Sequence, residues 1–160
     1  EDKYKGSYEQ VGKAITKYSH QPGLDLVRFA EHLVFCYLTG NADMHLKNFS
    51  LIQLQGNAFV LAPAYDLVNT SVLMPSDTEE LALPLNGHKS KLNGKHFEKG
   101  FTTMGLTSKQ QEGILGKFSD KLKVWTEMVS ASFLPEEYKV VYTAVLSSRF
   151  TSLYRDVYAT

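Results

Sequence analysis

The sequence predicts a mainly α-helical domain that carries one small β-hairpin, an α+β fold. Apolar residues recur at helical spacing over most of the chain, whereas the clearest strand pattern is confined to residues 49–62. Of the 160 residues, 43% are hydrophobic, which is enough for one core that buries about two thirds of the surface of the unfolded chain. We therefore expect residues 1–160 to form a single domain.

The composition excludes several classes of protein. Seventeen basic and 17 acidic side chains cancel, whereas proteins that bind nucleic acid mainly through its phosphates carry a positive excess. No run approaches the roughly 20 apolar residues that cross a bilayer, and the first residues lack the layout of a secretory signal. We expect neither direct nucleic-acid binding nor a membrane partner. Cys36 is the single cysteine and lies in an apolar run, which indicates a buried, inert thiol and a cytoplasmic protein.

Two helices are predicted before residue 40. Apolar positions recur every three or four residues from Tyr8 to Tyr18. The turn at residues 19–23, which contains proline and glycine, is expected to end this helix. Over residues 24–39 apolar side chains cover most of the helix circumference, which predicts a central, buried helix. Gly40 is its expected stop signal.

A β-hairpin is predicted within residues 49–62. Two runs that favour strands, residues 50–54 and 58–61, flank the tripeptide Gln55-Gly56-Asn57. Glycine and asparagine tolerate the positive φ angles that a tight turn needs. We therefore expect two antiparallel strands joined at this tripeptide.

The remaining chain is expected to be irregular first and helical afterwards. Residues 63–94 contain three prolines and an acidic run, and only residues 80–85 have a strand pattern. Helical patterns follow at residues 95–104, 108–132 and 135–158, the last with Pro135 at its first position. The face predicted for the second comprises Ile114, Leu115, Phe118, Leu122, Trp125, Met128 and Val129. The stripe predicted for the third comprises Tyr138, Val141, Tyr142, Val145, Leu146, Phe150, Leu153, Tyr154 and Val157.

A polar loop, residues 40–48, lies between the most apolar helix and the hairpin. Loops held by rigid neighbours often carry catalytic groups. Asp43 is followed five residues later by Asn48, and Asp66 lies just past the hairpin; because a hairpin returns the chain to its starting point, these side chains are expected to converge. Two carboxylates and an amide oxygen are ligands that suit Mg²⁺. The alternative is that Asp43 is an ordinary turn or cap residue.

This order of residues matches the chemistry of phosphoryl transfer. In protein kinases a loop aspartate accepts the proton of the acceptor hydroxyl, an asparagine five positions on binds metal, and a later aspartate binds the metal that bridges the phosphates. The order, the five-residue step and the intervening hairpin agree with that scheme, although neither H-R-D-x-x-x-x-N nor D-F-G occurs here. The spacing therefore predicts a kinase-type site.

The segments G-N-A-D-M-H-L-K-N-F-S-L and L-A-P-A-Y-D-L-V-N-T closely resemble the HipA family of bacterial toxin serine/threonine kinases, most strongly over residues 40–70. The resemblance implies the helical carboxy-terminal lobe of a HipA/protein-kinase-like fold, with ATP and Mg²⁺ as cofactors. It implies that Asp43 is the catalytic base and that Asn48 and Asp66 bind Mg²⁺ and the nucleotide. Lys47 would then face the transferred phosphate or the acids of its own loop.

Two neighbouring residues, His45 and Tyr65, leave alternatives open. His45 is expected either to hydrogen-bond Asp66 or a phosphate, or to be a structural donor. Tyr65 lies beside the metal-binding aspartate, where it either lines the nucleotide pocket or packs into the core. Asn41 is expected to shape the loop.

The sequence lacks a G-x-G-x-x-G run and a V-A-I-K-like strand lysine, which kinases use to cover and hold the phosphates. We therefore expect this chain to be the carboxy-terminal lobe alone, without the amino-terminal lobe and inactive by itself. Relatives act on translation factors or aminoacyl-tRNA synthetases and are restrained by a DNA-binding antitoxin. The resemblance thus implies a protein substrate, with translation-related proteins as candidates, and an antitoxin partner.

Two other functions fit parts of the same pattern. Asp43, His45 and Asp66 form a set with which a metal-dependent phosphohydrolase would activate water. Alternatively, the chain is a non-catalytic scaffold of a toxin–antitoxin complex, which uses its surface alone. A basic stretch over residues 88–99 is expected to be a solvated loop, with contact to an acidic target as the alternative.

Overall fold

The computed structural model describes residues 2–74, 76 and 78–155. It confirms a mainly helical domain with a two-stranded hairpin. Over these residues the α-helices are α1 (Tyr8–Tyr18), α2 (Pro22–Thr39), α3 (Thr70–Leu73), α4 (Gly94–Met104), α5 (Ser108–Gly116), α6 (Leu122–Ala131) and α7 (Glu136–Tyr154), and the strands are β1 (Leu51–Gln53) and β2 (Phe59–Leu61). Short 3-10 turns occupy Asp2–Tyr4, Leu46–Asn48 and Gln55–Asn57.

Helix α1 begins at a capping box. The Ser7 hydroxyl accepts from Gln10 N at 3.4 Å, and the Gln10 side chain accepts from Ser7 N at 3.1 Å. This exchange pairs amides that have no partner within the helix. The apolar face of α1 buries Tyr8 and Ile15 and packs against α2. The helix ends at Tyr18, as predicted.

Helix α2 runs through the centre of the domain. It begins at Pro22 rather than at Leu24, because proline fits the first helical position, where no intrahelical N–H bond is required. Its buried face includes Phe29 and Tyr37, and it packs against α1, α5 and α7. The helix ends at Gly40, whose φ of 74° and ψ of 30° lie in the left-handed region, as the sequence predicts.

The hairpin has the predicted turn but shorter strands. β1 and β2 pair antiparallel, with Leu51 opposite Leu61 and Gln53 opposite Phe59. Gly56 supplies the positive φ of 73° at the turn. Each strand has three residues, so the hairpin is too small to be stable alone and depends on the helices.

A buried carboxylate fastens the hairpin to the helices. Asp25, in the first turn of α2, is fully buried. Its carboxylate accepts from the Ser19 hydroxyl at 2.7 Å and from Gln21 Nε2 at 3.1 Å. It also accepts from Leu61 N at 2.7 Å. Because charge-assisted bonds of this kind are strong, Asp25 fixes where β2 ends and where the following chain enters the site.

The single helix predicted over residues 108–132 is wrong, because the structure has two helices there. α5 ends at Gly116, a poor helix former, and α6 begins at Leu122. The break lets α5 pack against α2 and α4 while α6 packs against α7, which one straight helix would not allow. Met128, predicted for the buried face, is 65% exposed and lies outside the core.

The stripe predicted for the last helix is correct only in its second half. The residues that α7 buries are Leu146, Phe150, Leu153 and Tyr154. Tyr138 and Val141 are exposed, since the first turns of α7 extend beyond the core. Pro135 precedes the helix as its cap instead of occupying the first helical position. Residues 157 and 158, the predicted end, lie outside the described residues.

The strand predicted over residues 80–85 is also wrong. The segment is irregular and buries Leu81, Leu83 and Leu85. The β-bridge that the described residues form there joins Leu85 to His88. The apolar pattern reflects burial against α1, where the Pro84 carbonyl accepts from Tyr8 N at 3.1 Å. Pro84 has no N–H to give to a sheet, which disfavours a longer ladder.

The composition predicts that Cys36 is buried and that no segment crosses a bilayer. Cys36 is 1% exposed, which confirms the buried thiol. Burial raises the pKa of Cys36 to about 12, so the thiol stays protonated and unreactive at neutral pH. None of the described helices combines the length and the apolar composition needed to cross a bilayer.

Candidate active site

The polar loop after α2 is clamped to the start of α3. The carbonyl of Gly40 accepts from the backbone N–H groups of Thr70 and Ser71, each at 3.1 Å. In the other direction, Ala42 N donates to the Thr70 hydroxyl at 2.8 Å. Gly40 is also closely packed, because a Cβ there would lie 2.9 Å from Val145 Cγ1. These contacts give the loop a defined position relative to the chain that follows the hairpin.

Asn41 links the two acidic residues of the predicted site. It is 1% exposed. Its Nδ2 donates to the backbone carbonyl of Asp66 at 3.1 Å, and its Oδ1 accepts from Asp43 N at 3.2 Å. Asn41 therefore holds the backbones of Asp43 and Asp66 together, in agreement with the loop-shaping role expected from the sequence.

Asn48 and Asp66 meet in the structure, as expected from the hairpin between them. Asn48 Nδ2 donates to Asp66 Oδ2 at 2.5 Å across 18 positions of the chain. Asn48 is 4% exposed, and its amide also approaches Met44 Sδ at 3.6 Å, so the core fixes its position. Asp66 is exposed and has a φ of 57°, a left-handed conformation that aspartate and asparagine adopt more readily than other residues with a side chain. A buried amide thus holds a carboxylate that faces solvent.

Asp43 lies at the wall of a cleft. It is half-buried, and its carboxylate accepts from the Tyr4 hydroxyl at 3.0 Å. Its carbonyl accepts from His45 N at 2.9 Å, a turn contact that involves the backbone only. The backbone of Asp43 thus forms a turn, and its carboxylate is bonded to Tyr4. The cleft has a volume of about 460 Å³, and its other walls include Thr70, Met74, Glu79 and Lys89.

His45, Lys47 and Tyr65 flank these side chains. The His45 ring is buried edge-to-face against Tyr4 with the ring centroids 5.4 Å apart, and its Nδ1 has no hydrogen-bond partner. Lys47 is exposed, and its carbonyl accepts from the Tyr65 hydroxyl at 3.0 Å. Tyr65 also reaches Ser50 Oγ at 3.2 Å and is 40% exposed. Tyr65 therefore does not pack into the core.

Asn48 and Asp66 have the donor chemistry of a partial magnesium site. A half-turn of the Asn48 amide exchanges Nδ2 for Oδ1 and brings two oxygens side by side, and hard oxygens are the ligands that Mg²⁺ prefers. Among the described residues, no group of three or more histidine, cysteine, aspartate or glutamate side chains is arranged to hold a metal. The pair thus fits an ion whose remaining ligands are water and phosphate oxygens. It fits a catalytic zinc site poorly, because such sites use three protein ligands.

Sequence reasoning missed Tyr4, Thr70 and helix α3. The dipeptide Asn69-Thr70 carries a helix start signal, and Asn69 Oδ1 accepts from Val72 N at 2.9 Å. That signal would have located α3. No spacing rule connects Tyr4 to Asp43, which lies 39 positions away.

The fold and the site define a helical domain in which a hairpin brings Asn48 and Asp66 into contact. Asp43 is joined to this pair through the Asn41 side chain, which bonds the backbones of Asp43 and Asp66, and its carboxylate contacts Tyr4 instead. Residues 1–125 match the family described as the HipA-like C-terminal domain. The chain belongs to this family, which confirms the resemblance seen in the sequence.

Two curated relatives carry the word kinase in their names. A 66-residue segment is 42% identical to "Putative kinase Y4dM" of Sinorhizobium fredii and covers 41% of this chain and 16% of the relative. A 98-residue segment is 34% identical to "Putative kinase" of Haemophilus influenzae and covers 61% of this chain and 28% of the relative. The matches thus span less than a third of the length of either relative.

A solved structure shares the fold. It is the complex of HipA, HipB and operator DNA from the toxin–antitoxin system of Shewanella oneidensis MR-1. The match has a TM-score of 0.76 at 19% identity and covers 92% of this chain and 36% of that chain. At this identity the match establishes the helical fold.

Proposed function

We propose that this chain is the catalytic carboxy-terminal part of an ATP- and Mg²⁺-dependent serine/threonine protein kinase. The observation that carries the proposal is the contact of Asn48 Nδ2 with Asp66 Oδ2 at 2.5 Å, at the end of the loop that holds Asp43. Membership of the HipA-like family and the names of the relatives support it.

Asp43 acts as the catalytic base in this proposal. A general base must come within about 2.6–3.2 Å of the hydroxyl whose proton it accepts. Asp43 is half-buried and opens onto the cleft of about 460 Å³, which gives a serine or threonine side chain a path to the carboxylate. The proton passes to Asp43 as the acceptor oxygen bonds to the γ-phosphorus of ATP, and the bond from that phosphorus to the bridging oxygen breaks to release ADP.

Asn48 and Asp66 bind Mg²⁺ in this proposal. The ion, when bound, supplies the charge that neutralises the phosphates. The chain itself keeps the two ligands together, because the core fixes the amide and Asn41 holds the Asp66 carbonyl at 3.1 Å. Ligands assembled in advance leave less ordering to be done on binding.

Lys47 and Tyr65 belong to the nucleotide side of the site in this proposal. Both are exposed, and the hydrogen bond from the Tyr65 hydroxyl to the Lys47 carbonyl at 3.0 Å holds them together. The Lys47 ammonium is assigned to the transferred phosphate, and the Tyr65 ring to the wall of the nucleotide pocket. His45 is assigned a supporting role, since its ring packs against Tyr4.

Other parts of the enzyme are proposed to lie outside these 160 residues. A phosphate cover and a lysine for the α and β phosphates are required for transfer, so the isolated chain is expected not to phosphorylate a substrate. We also assign the parent a cytoplasmic location, a protein substrate, with translation-related proteins as the first to test, and an antitoxin partner. The HipA–HipB–DNA complex of the structural neighbour supports the antitoxin assignment. The zero net charge of this chain favours DNA contact through the antitoxin.

Phosphate transfer from labelled ATP by the full-length protein tests the proposal. We expect Mg²⁺-dependent label on serine or threonine, and a loss of about 100-fold or more for Asp43→Ala, which removes the base. Asp120→Ala is the matched control, because Asp120 is an exposed acid between α5 and α6.

The same assay distinguishes the alternatives. Full activity of Asp43→Ala would contradict the assignment of the base. A scaffold would bind no nucleotide, and a phosphohydrolase would release phosphate without an acceptor and respond to Mn²⁺ or Zn²⁺.

A further inference from the structure

We propose that Tyr4 is a positioning residue for the catalytic base, holding one oxygen of Asp43 so that the other faces the acceptor hydroxyl. The inference rests on the proposed function, because it concerns the same aspartate. It adds a group from the first turn of the chain that no motif around Asp43 contains.

The contact between Tyr4 and Asp43 is specific in its atoms. The Tyr4 hydroxyl donates to Asp43 Oδ1 at 3.0 Å, and a hydrogen bond to an ionised carboxylate is stronger than one between neutral groups. A carboxylate has two oxygens and about four acceptor positions. The bond to Tyr4 therefore leaves Oδ2 able to accept the proton of a serine or threonine hydroxyl.

The ring of Tyr4 is held against the same loop. Its edge-to-face contact with His45 has a centroid distance of 5.4 Å, and the Lys3 ammonium lies 4.8 Å from the centroid of the ring. The 3-10 turn that carries Tyr4 contacts the turn Leu46–Asn48. His45, which lies two residues after Asp43 in the sequence, thus packs against Tyr4 in space.

Gly6 makes this placement of the turn compatible with α1. It has a φ of 113°, and a Cβ there would lie 2.6 Å from Gln10 Oε1, the atom that completes the capping box. The chain between Tyr4 and Ser7 therefore reverses at a residue without a side chain. The cap of α1 and the contact with Asp43 are satisfied together.

Tyr4 also lines the cleft of about 460 Å³ onto which Asp43 opens. The residue is 45% exposed, so an acceptor that enters the cleft can reach the side chain of Tyr4. In an alternative role, the Tyr4 hydroxyl occupies the place of the acceptor hydroxyl and competes with it. The two roles predict opposite effects on the reaction when the Tyr4 hydroxyl is removed. Positioning predicts a slower reaction, whereas competition predicts a faster one or tighter acceptor binding.

Tyr4→Phe in the full-length protein separates these outcomes. The variant removes the hydroxyl and keeps the ring that packs against His45, so the fold is retained. We expect kcat to fall about tenfold, since small errors in the position of a catalytic group are costly, with the KM for MgATP unchanged. Tyr18→Phe is the matched control, because Tyr18 is 55% exposed and also has a lysine ammonium, that of Lys17, 4.9 Å from its ring centroid.

The other possible results of these assays would each overturn a specific assignment. Unchanged kcat in Tyr4→Phe, a rise in kcat, or a lower KM for the acceptor protein would overturn the positioning role, as would an equal loss in Tyr18→Phe. Asp43→Asn, measured in parallel, separates the two proposals. Loss of transfer in Asp43→Asn together with normal transfer in Tyr4→Phe rejects the role of Tyr4 alone. An active Asp43→Asn rejects Asp43 as the catalytic base, and absence of Mg²⁺-dependent transfer in the wild-type protein rejects the proposed function itself.

Discussion

The amide of Asn48 reaches the carboxylate of Asp66 at 2.5 Å, although 18 positions and a whole hairpin lie between them. The two residues differ in exposure, because Asn48 is buried and Asp66 faces solvent. Such an arrangement gives the exposed group a fixed position without burying its charge. It is the geometry on which the proposed chemistry depends.

Replacing Asp66 by asparagine is expected to weaken the binding of MgATP to the full-length protein by about tenfold or more. Substitution of residues that only hydrogen-bond to a metal ligand already lowers metal affinity by about that factor. Asparagine tolerates the left-handed backbone of Asp66, so the change removes the charge and leaves the fold. Titration calorimetry with and without Mg²⁺ measures the effect. Equal affinity in Asp66→Asn and in the control Asp120→Ala would rule out Asp66 as a metal ligand.

Asn41→Ala is expected to lower the free energy of unfolding by about 1–3 kcal/mol, because it removes two hydrogen bonds that contribute about 0.5–1.5 kcal/mol each. The groups concerned are the N–H of Asp43 and the carbonyl of Asp66, both bonded to the Asn41 side chain. Urea denaturation measures the change. Gln55→Ala, at the exposed hairpin turn, is the control, and equal stability of the two variants would show that Asn41 is not a structural link.

Asp25→Ala is expected to lower the free energy of unfolding by about 3 kcal/mol or more, because it leaves the half-buried donors of Ser19, Gln21 and Leu61 without their charged acceptor. The hairpin should be affected first, since Leu61 N donates to Asp25 at 2.7 Å. Hydrogen exchange at the Leu61 amide should therefore accelerate more than exchange within α7. Asp25→Asn keeps one acceptor oxygen, so its free energy of unfolding should lie between those of wild type and Asp25→Ala. A hairpin amide that exchanges as slowly as in wild type would contradict this role.

The buried Cys36 predicts a dependence of stability on alkaline pH. Burial raises the pKa of Cys36 to about 12, whereas the pKa of a cysteine thiol in an unfolded chain is about 8.5. The unfolded chain loses its proton first, so the stability contribution is complete below about pH 8.5 and declines as pH rises towards the folded-state pKa. Between pH 7 and about pH 10 the loss should reach about 2 kcal/mol.

Comparison with Cys36→Ala isolates this contribution. Other groups titrate alike in both proteins, and the cavity left by the variant does not depend on pH. Urea denaturation across the range should show wild type losing stability relative to Cys36→Ala. Parallel pH curves for the two proteins would contradict the raised pKa.

Local signals were sufficient for much of the fold and for the contact between Asn48 and Asp66. Gly40 ends α2 because its left-handed backbone closes the helix, and Gly56 turns the hairpin for a similar reason. Each effect depends on one residue and its neighbours. The contact of Asn48 with Asp66 follows from the turn at Gly56, since that turn brings the two ends of the hairpin together.

Contacts between distant segments were beyond such signals. The bonds from Ser19 and Leu61 to Asp25 join residues that share no pattern, and the contact of Tyr4 with Asp43 spans 39 positions. The break between α5 and α6 also has a tertiary cause, because the two helices pack against different partners. Periodicity records which residues are apolar and does not record which element covers them.

A crystal structure of the full-length protein with Mg²⁺ and a non-hydrolysable ATP analogue tests the central assignment most directly. We predict Asn48 Oδ1 and an Asp66 carboxylate oxygen at about 2.0–2.1 Å from one ion that also contacts the phosphates, with the Asp43 carboxylate facing the terminal phosphate. An ion and nucleotide bound elsewhere, with Asn48 still donating to Asp66 as it does at 2.5 Å here, would contradict it.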